Sequence, residues 1–159
     1  MNKKYLSLFL VLMLMASVFA GCSAQSDAQP QDAQQESAET QYMTADELKA
    51  IITEGNSDYL IFDVRKKADY DIEHIKGSIS TDVDSIISNE DPAPAKANME
   101  KALAETDSKD KKFVLLCYSG KRYAAAGTEF LKELGIDAAN IYTLEGGYKG
   151  WTYSDLLEK

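Results

Sequence analysis

The sequence predicts an α/β domain, with a mostly parallel central sheet and helices on both of its faces. Two short apolar runs, at residues 59–62 and 113–116, are bounded by polar sequence, which is typical of strands buried on both faces. A third strand is predicted at 140–143, and helical patterns separate the three. Strands that alternate with helices favour a parallel sheet, whose functional residues collect beyond the carboxyl ends of the strands.

The folded domain is predicted to occupy residues 42–159. Its first helix begins after Thr44, because Thr44 and Glu47 have the spacing of a capping box. Gly55 ends this helix. The apolar face of the helix consists of Leu48, Ile51 and Ile52.

The elements between the two apolar runs are expected to be short. In order, we predict a helical or irregular piece at 66–72, a turn at 73–77, a strand at 78–80, a helical turn at 82–88, a loop at 89–94 and a helix at 94–105. After the third strand, a glycine-rich turn at 144–151 leads into a short helix, and residues 154–157 close the domain.

The stretch 113–134 contains the candidate reactive residue, Cys117. Its apolar strand delivers Cys117 to the carboxyl end, and a helix begins within six residues and is predicted to end at Gly135. The first amides of a helix have no intrahelical partner and lie at the positive end of its dipole, so they form an anion site. The small residues Ser119 and Gly120 allow the loop to curl, and Lys121 and Arg122 add positive charge.

These features all favour the thiolate form of Cys117, and the thiolate is the nucleophilic form. The alternative is a buried cysteine that only packs at a strand end. The loop around Cys117 favours the reactive interpretation.

Residues 1–21 have the pattern of an export leader. Lys3 and Lys4 precede an apolar core at residues 6–19, and small residues stand just before Cys22. This resembles a bacterial lipoprotein signal, which implies an acyl group on Cys22 and a membrane anchor at the extracytoplasmic face of the cell envelope. An uncleaved membrane helix and plain secretion remain alternatives.

Residues 22–41 form a predicted disordered tether, since after Cys22 they contain no aromatic or branched aliphatic residue. Two of the 17 basic side chains lie in the leader, so the rest of the chain has 15 basic and 26 acidic side chains, an excess of 11 negative charges. This charge makes nucleic acid a poor candidate for a partner, and the domain is not expected to bind anionic lipid head groups by charge. Membrane attachment would then depend on the leader or on its acyl group.

The count of side chains also limits the chemistry. His74 is the only histidine, which argues against a histidine-based catalytic triad and against a zinc site, and we expect it to form a hydrogen bond within its own turn. With Cys22 acylated, Cys117 has no disulfide partner in the chain, which favours a reactive role. No metal or organic cofactor is implied.

Four segments resemble the single-domain rhodaneses, sulfurtransferases that carry sulfur as a cysteine persulfide. The segments are Asp63-Val64-Arg65, residues 74–79 (HIKGSI), residues 117–122 (CYSGKR) and residues 146–151 (GGYKGW). The resemblance covers roughly residues 42–153, nearly the whole predicted domain. Two positions depart from the family pattern, because Glu73 replaces a glycine and Lys76 replaces a proline.

The resemblance implies that Cys117 is the nucleophile and the persulfide carrier. Residues Tyr118, Ser119, Gly120, Lys121 and Arg122 would form the substrate cradle, in which the fork of Arg122 suits an oxyanion. Asp63 and Arg65 could form an ion pair that supports this loop. The donor would be a small anion such as thiosulfate, and the acceptor would be cyanide, a thiol or a protein cysteine.

The length of the loop separates this chemistry from that of related phosphatases and arsenate reductases. Those relatives have a Cys-x5-Arg loop that fits a tetrahedral oxyanion, whereas Cys117 and Arg122 give Cys-x4-Arg. We therefore expect negligible phosphatase activity. Two other functions remain open: a module that binds a partner or senses sulfide or redox state without turnover, and a thiol reductase that takes its resolving cysteine from another molecule.

Overall fold

The computed structural model describes residues 40–84 and 92–159. The predicted leader, the predicted acylation site Cys22 and the predicted tether up to residue 39 lie outside this part, as does most of the helical turn predicted at 82–88. The strands are β1 Gln41–Met43, β2 Tyr59–Asp63, β3 His74–Ile75, β4 Ser78–Ser80, β5 Lys112–Leu116, β6 Ile141–Leu144 and β7 Leu157–Glu158. The α-helices are α1 Ala45–Glu54, α2 Lys67–Ile72, α3 Ala93–Glu105 and α4 Arg122–Glu133. Single 3₁₀ turns lie at Ala138–Asn140, Gly147–Gly150 and Ser154–Leu156.

Five of the described strands form one parallel sheet in the order β1-β6-β5-β2-β4. The predicted α/β class with a mostly parallel sheet is therefore confirmed. The strand β5 occupies the centre, so residue 117 leaves the sheet from its middle at the carboxyl edge.

Two hydrophobic cores cover the two faces of the sheet, because consecutive residues of each central strand point to opposite sides. In β5, Phe113 and Leu115 pack with α3 and α4, whereas Val114 and Leu116 pack with α1. All four side chains are completely buried. This explains why the run is continuously apolar and confirms helices on both faces.

The first helix begins and ends as the sequence predicts. The side chain of Thr44 accepts from the Glu47 amide, and Glu47 accepts from the Thr44 amide at 2.8 Å, which completes the capping box. Gly55 ends α1 in the left-handed conformation with φ of 66°.

The turn predicted at 73–77 is wrong in part. His74 and Ile75 form β3, which pairs antiparallel with β7 at the end of the chain. A two-residue strand has no alternating pattern of its own, and its partner lies more than 80 residues away. The sequence pattern therefore could not predict this pairing. It joins the end of the chain to the strand that directly follows α2.

Candidate active site

Cys117 lies directly after β5 and before α4, at the carboxyl edge of the sheet. Its exposed fraction is 1%. The backbone amide of Lys121, the residue before α4, donates to the Cys117 sulfur at 3.3 Å. A loop amide at the helix start therefore points at the sulfur, the arrangement that stabilises negative charge there.

The glycine-rich turn at Gly147–Gly150 forms hydrogen bonds to the backbone of the loop that follows Cys117. The amide of Tyr148 donates to the carbonyl oxygen of Cys117 at 2.7 Å, and the amide of Lys149 donates to that of Tyr118 at 3.0 Å. Gly147 permits this contact, since a Cβ on it would lie 2.5 Å from the Gly120 nitrogen. The turn at Gly147–Gly150 thus fixes the backbone of the cysteine loop, a role that the sequence motif did not reveal.

Arg65 and Asp63 form an ion pair that is almost completely excluded from water, with exposed fractions of 2% and 0%. The Arg65 Nη2 and Nε atoms donate to Asp63 Oδ2 at 2.7 and 3.0 Å. The guanidinium also lies 3.7 Å from the centroid of the Tyr148 ring. Arg65 is held by the pair and packs on the turn that supports the cysteine loop, which places it as a structural support rather than an exposed anion receptor.

Two tyrosine–carboxylate hydrogen bonds connect the cysteine loop and its supporting turn to the α2 segment. The Tyr118 hydroxyl donates to Asp69 in α2, and the Tyr148 hydroxyl donates to Glu73 just after α2 at 2.6 Å. Burial and the bond to Asp69 raise the pKa of Tyr118 well above its ordinary value. Burial and the bond to Glu73 raise the pKa of Tyr148 to about 12.

These shifts predict a loss of stability in alkali. The folded state keeps its proton on Tyr148 up to a pKa of about 12, whereas the unfolded chain releases it near 10. The folded state therefore binds more protons in this window, so stability is full below pH 10 and falls between about pH 10 and 12. We expect Tyr148→Phe to weaken this fall in denaturation curves recorded across the window. Tyr42→Phe controls for the loss of one phenol, and an unchanged alkaline limb in Tyr148→Phe would contradict the prediction.

The other four predicted residues of the cradle differ in their exposure to solvent. Ser119, Lys121 and Arg122 have exposed side chains, whereas Gly120 is buried. The guanidinium of Arg122 lies 5.6 Å from the ring centroid of Tyr123. The structure thus brings the Lys121 amide to the Cys117 sulfur, while the Lys121 and Arg122 side chains face solvent.

Neither Asp69 nor the role of Tyr148 was predicted from the sequence, and Glu73 stood out there only as a departure from a family pattern. Asp69 and Glu73 are two of the many acidic residues in this chain, and no sequence pattern distinguishes them from the others. The hydrogen bond predicted for His74 within its own turn is wrong in its partner, because His74 Nδ1 lies 3.0 Å from the carbonyl oxygen of Tyr70, which belongs to α2. Within residues 40–84 and 92–159, no group of three or more His, Cys, Asp and Glu side chains could hold a metal ion.

The family model for the rhodanese-like domain matches residues 44–154. The chain belongs to the rhodanese-like domain family. The family includes sulfurtransferases. None of the curated proteins matches the chain.

Similar solved structures agree on the fold. The As–Sb reductase of Leishmania major is 20% identical, with a TM-score of 0.54, and covers 74% of this chain and 84% of its own. A Bacillus halodurans protein is 22% identical, with a TM-score of 0.53 and coverage of 70% and 71%. The rhodanese-like domain of an Anabaena protein is 21% identical, with a TM-score of 0.52 and coverage of 69% and 71%. At these identities the likeness establishes the fold alone.

Proposed function

We propose that this protein is a sulfurtransferase that carries sulfane sulfur as a persulfide on Cys117. One observation carries the proposal: the Lys121 amide donates to the Cys117 sulfur at 3.3 Å, where a central parallel strand ends and a helix begins. Backbone amides aimed at a sulfur stabilise a thiolate before attack and a persulfide anion after it. Membership of the rhodanese-like domain family supports the same chemistry.

In the first step, the Cys117 thiolate attacks the outer sulfur of thiosulfate. The new S–S bond joins Cys117 to that sulfur, the S–S bond within thiosulfate breaks, and its electron pair leaves with sulfite. The persulfide keeps the single negative charge that the thiolate had. The exposed side chains of Lys121 and Arg122 bind the sulfonate oxygens of the donor while the bond breaks.

In the second step, a thiophilic acceptor removes the outer sulfur. Cyanide attacks that sulfur, thiocyanate leaves, and the electron pair of the S–S bond returns to Cys117 as a thiolate. A thiolate acceptor takes the sulfur in the same way and becomes a persulfide itself. No cofactor enters either step, because the charges and electrons balance between donor, cysteine and acceptor.

The activity is tested by the formation of thiocyanate from thiosulfate and cyanide. We expect Cys117→Ser to lower the rate by about 10³-fold or more, since the nucleophile itself is removed. The same preparation should hydrolyse an aryl phosphate negligibly, because the Cys-x4-Arg loop is one residue shorter than that of the phosphatases. Equal thiocyanate formation by the wild type and Cys117→Ser, or brisk phosphate hydrolysis, would refute the assignment.

We also propose that the domain is exported and anchored by an acyl group on Cys22, at the end of a tether that lets it reach nearby partners. The leader at residues 1–21 supports this location. In the described part of the chain, no helix is both long and apolar enough to cross a membrane. Labelled palmitate should be incorporated by the wild type and by Cys117→Ala but not by Cys22→Ala. Label that persists in Cys22→Ala would exclude the anchor.

A module without turnover is the second candidate. The observation that favours it is the 1% exposure of Cys117, since a sulfur that is so buried meets donors and acceptors only when the loop moves. Such a protein would acquire a persulfide from thiosulfate but release none of it to cyanide or thiols. Release of the labelled outer sulfur to an acceptor, or its retention, distinguishes the two functions.

A further inference from the structure

Glu73 contacts both Arg65 and Tyr148, two residues of the site that the sequence did not connect. It stands immediately after α2, where the family pattern that the chain resembles has a glycine. Its backbone carbonyl accepts from Arg65 Nη2 at 2.9 Å, and its side-chain Oε1 accepts from the Tyr148 hydroxyl at 2.6 Å. A glycine would keep the first contact and lose the second, so the carboxylate is a feature of this chain.

Tyr148 transmits this contact to the reactive cysteine. Its amide donates to the Cys117 carbonyl at 2.7 Å, and its ring lies 3.7 Å below the Arg65 guanidinium. The ring is therefore held on one side by a buried cation and at its hydroxyl end by the Glu73 carboxylate. A side chain fixed at both places also fixes its own backbone, from which the cysteine loop takes a short hydrogen bond.

We propose that Glu73 is a positioning residue that sets the geometry of the Cys117 loop through Tyr148. For its effect on turnover the inference rests on the proposed sulfurtransferase function. Its effect on the loop stands independently of that function. The hydrogen bond is charge-assisted and half-buried, so it is among the stronger contacts that hold the supporting turn against the α2 segment.

Two variants of Glu73 test whether its hydrogen bond to Tyr148 positions the cysteine loop. Glu73→Gly restores the family residue and leaves the Tyr148 hydroxyl without this acceptor, whereas Glu73→Gln keeps an oxygen that accepts. We expect Glu73→Gly to lower kcat for thiocyanate formation by about 10- to 100-fold with little change in KM, because a small misplacement of a nucleophile has that effect. Glu73→Gln should recover most of the loss.

Tyr148→Phe provides the second arm. It removes the hydroxyl and keeps the ring on Arg65, so it should reproduce the defect of Glu73→Gly, and the double variant should be no worse than either single variant. Tyr153→Phe is the matched control, because Tyr153 also donates to a carboxylate, that of Asp46 in α1. It should leave kcat unchanged.

Alkylation of Cys117 by iodoacetamide is a readout that does not need turnover. The peptide 113–121, released by cleavage after Lys112 and Lys121, reports this cysteine apart from Cys22. We expect a severalfold faster alkylation in Glu73→Gly and Tyr148→Phe, and a near wild-type rate in Glu73→Gln, at a temperature where all variants show folded circular dichroism. If the wild type makes no thiocyanate, the proposed function fails, and this pattern still tests Glu73. Wild-type kcat and alkylation in Glu73→Gly, or additive effects with Tyr148→Phe, would overturn the inference.

Discussion

Replacing Gly147 with alanine is expected to lower the free energy of unfolding by about 3–5 kcal/mol and to abolish turnover. Gly147 has φ of 58°, where an L side chain is strained. An added Cβ would also overlap the Cys117 carbonyl oxygen and lie 2.5 and 2.7 Å from the amide nitrogens of Gly120 and Ser119. These are backbone atoms, which cannot rotate away, so the supporting turn and the cysteine loop must separate.

Gly55→Ala is the matched control for this variant. Gly55 has a similar φ of 66°, but an added Cβ would have no heavy atom within 4 Å. Gly55→Ala should lower the free energy of unfolding by only about 1–2 kcal/mol, from backbone strain alone, and should leave thiocyanate formation intact. Chemical denaturation and the turnover assay measure both effects. Equal losses of stability in the two variants would show that the close approach of Gly147 to the loop contributes nothing.

The second large effect is expected at Arg65. Substituting methionine keeps the length of the side chain and leaves the completely buried Asp63 carboxylate without its charged partner. Removing one member of a buried ion pair costs about 3–5 kcal/mol, because the remaining charge stays out of water. The variant also loses the cation that packs on the Tyr148 ring, so the cysteine loop should lose its support along with the stability.

Lys67→Met controls for the loss of a positive charge. Lys67 also pairs with an aspartate, Asp71, but both side chains are more than half exposed. An exposed pair gains little from attraction in water, so this variant should show no measurable change in stability. A free energy of unfolding for Arg65→Met within about 1 kcal/mol of the wild type would contradict the role assigned to the buried pair.

Much of the fold could be predicted from sequence because its signals are local. A continuous apolar run such as 113–116 is fully buried between two cores, and the residue that follows it must lie at the carboxyl edge of the sheet. The capping box at Thr44 and the glycine stop at Gly55 are likewise contacts between near neighbours in sequence. The placement of Cys117 followed from these local rules alone.

The parts that sequence did not predict depend on distant partners. The pairing of β3 with β7 and the bond from Tyr148 to Glu73 each join segments about 75 residues or more apart. In the sequence, Glu73 differs from its neighbours only because the family pattern has a glycine there. The role of its carboxylate as a hydrogen-bond acceptor depends on Tyr148, which only the fold brings beside it. The direction of the Arg122 side chain could not be predicted either, since an exposed arginine has no packing pattern that fixes it.

The proposed function requires that Cys117 accepts and holds a second sulfur atom. Its most direct test is the mass of the intact protein and of the peptide 113–121 after treatment with thiosulfate, without a reducing agent. We expect a gain of one sulfur atom on that peptide in the wild type and no gain in Cys117→Ser. A wild-type peptide that keeps its unmodified mass with the donor in large excess would contradict it.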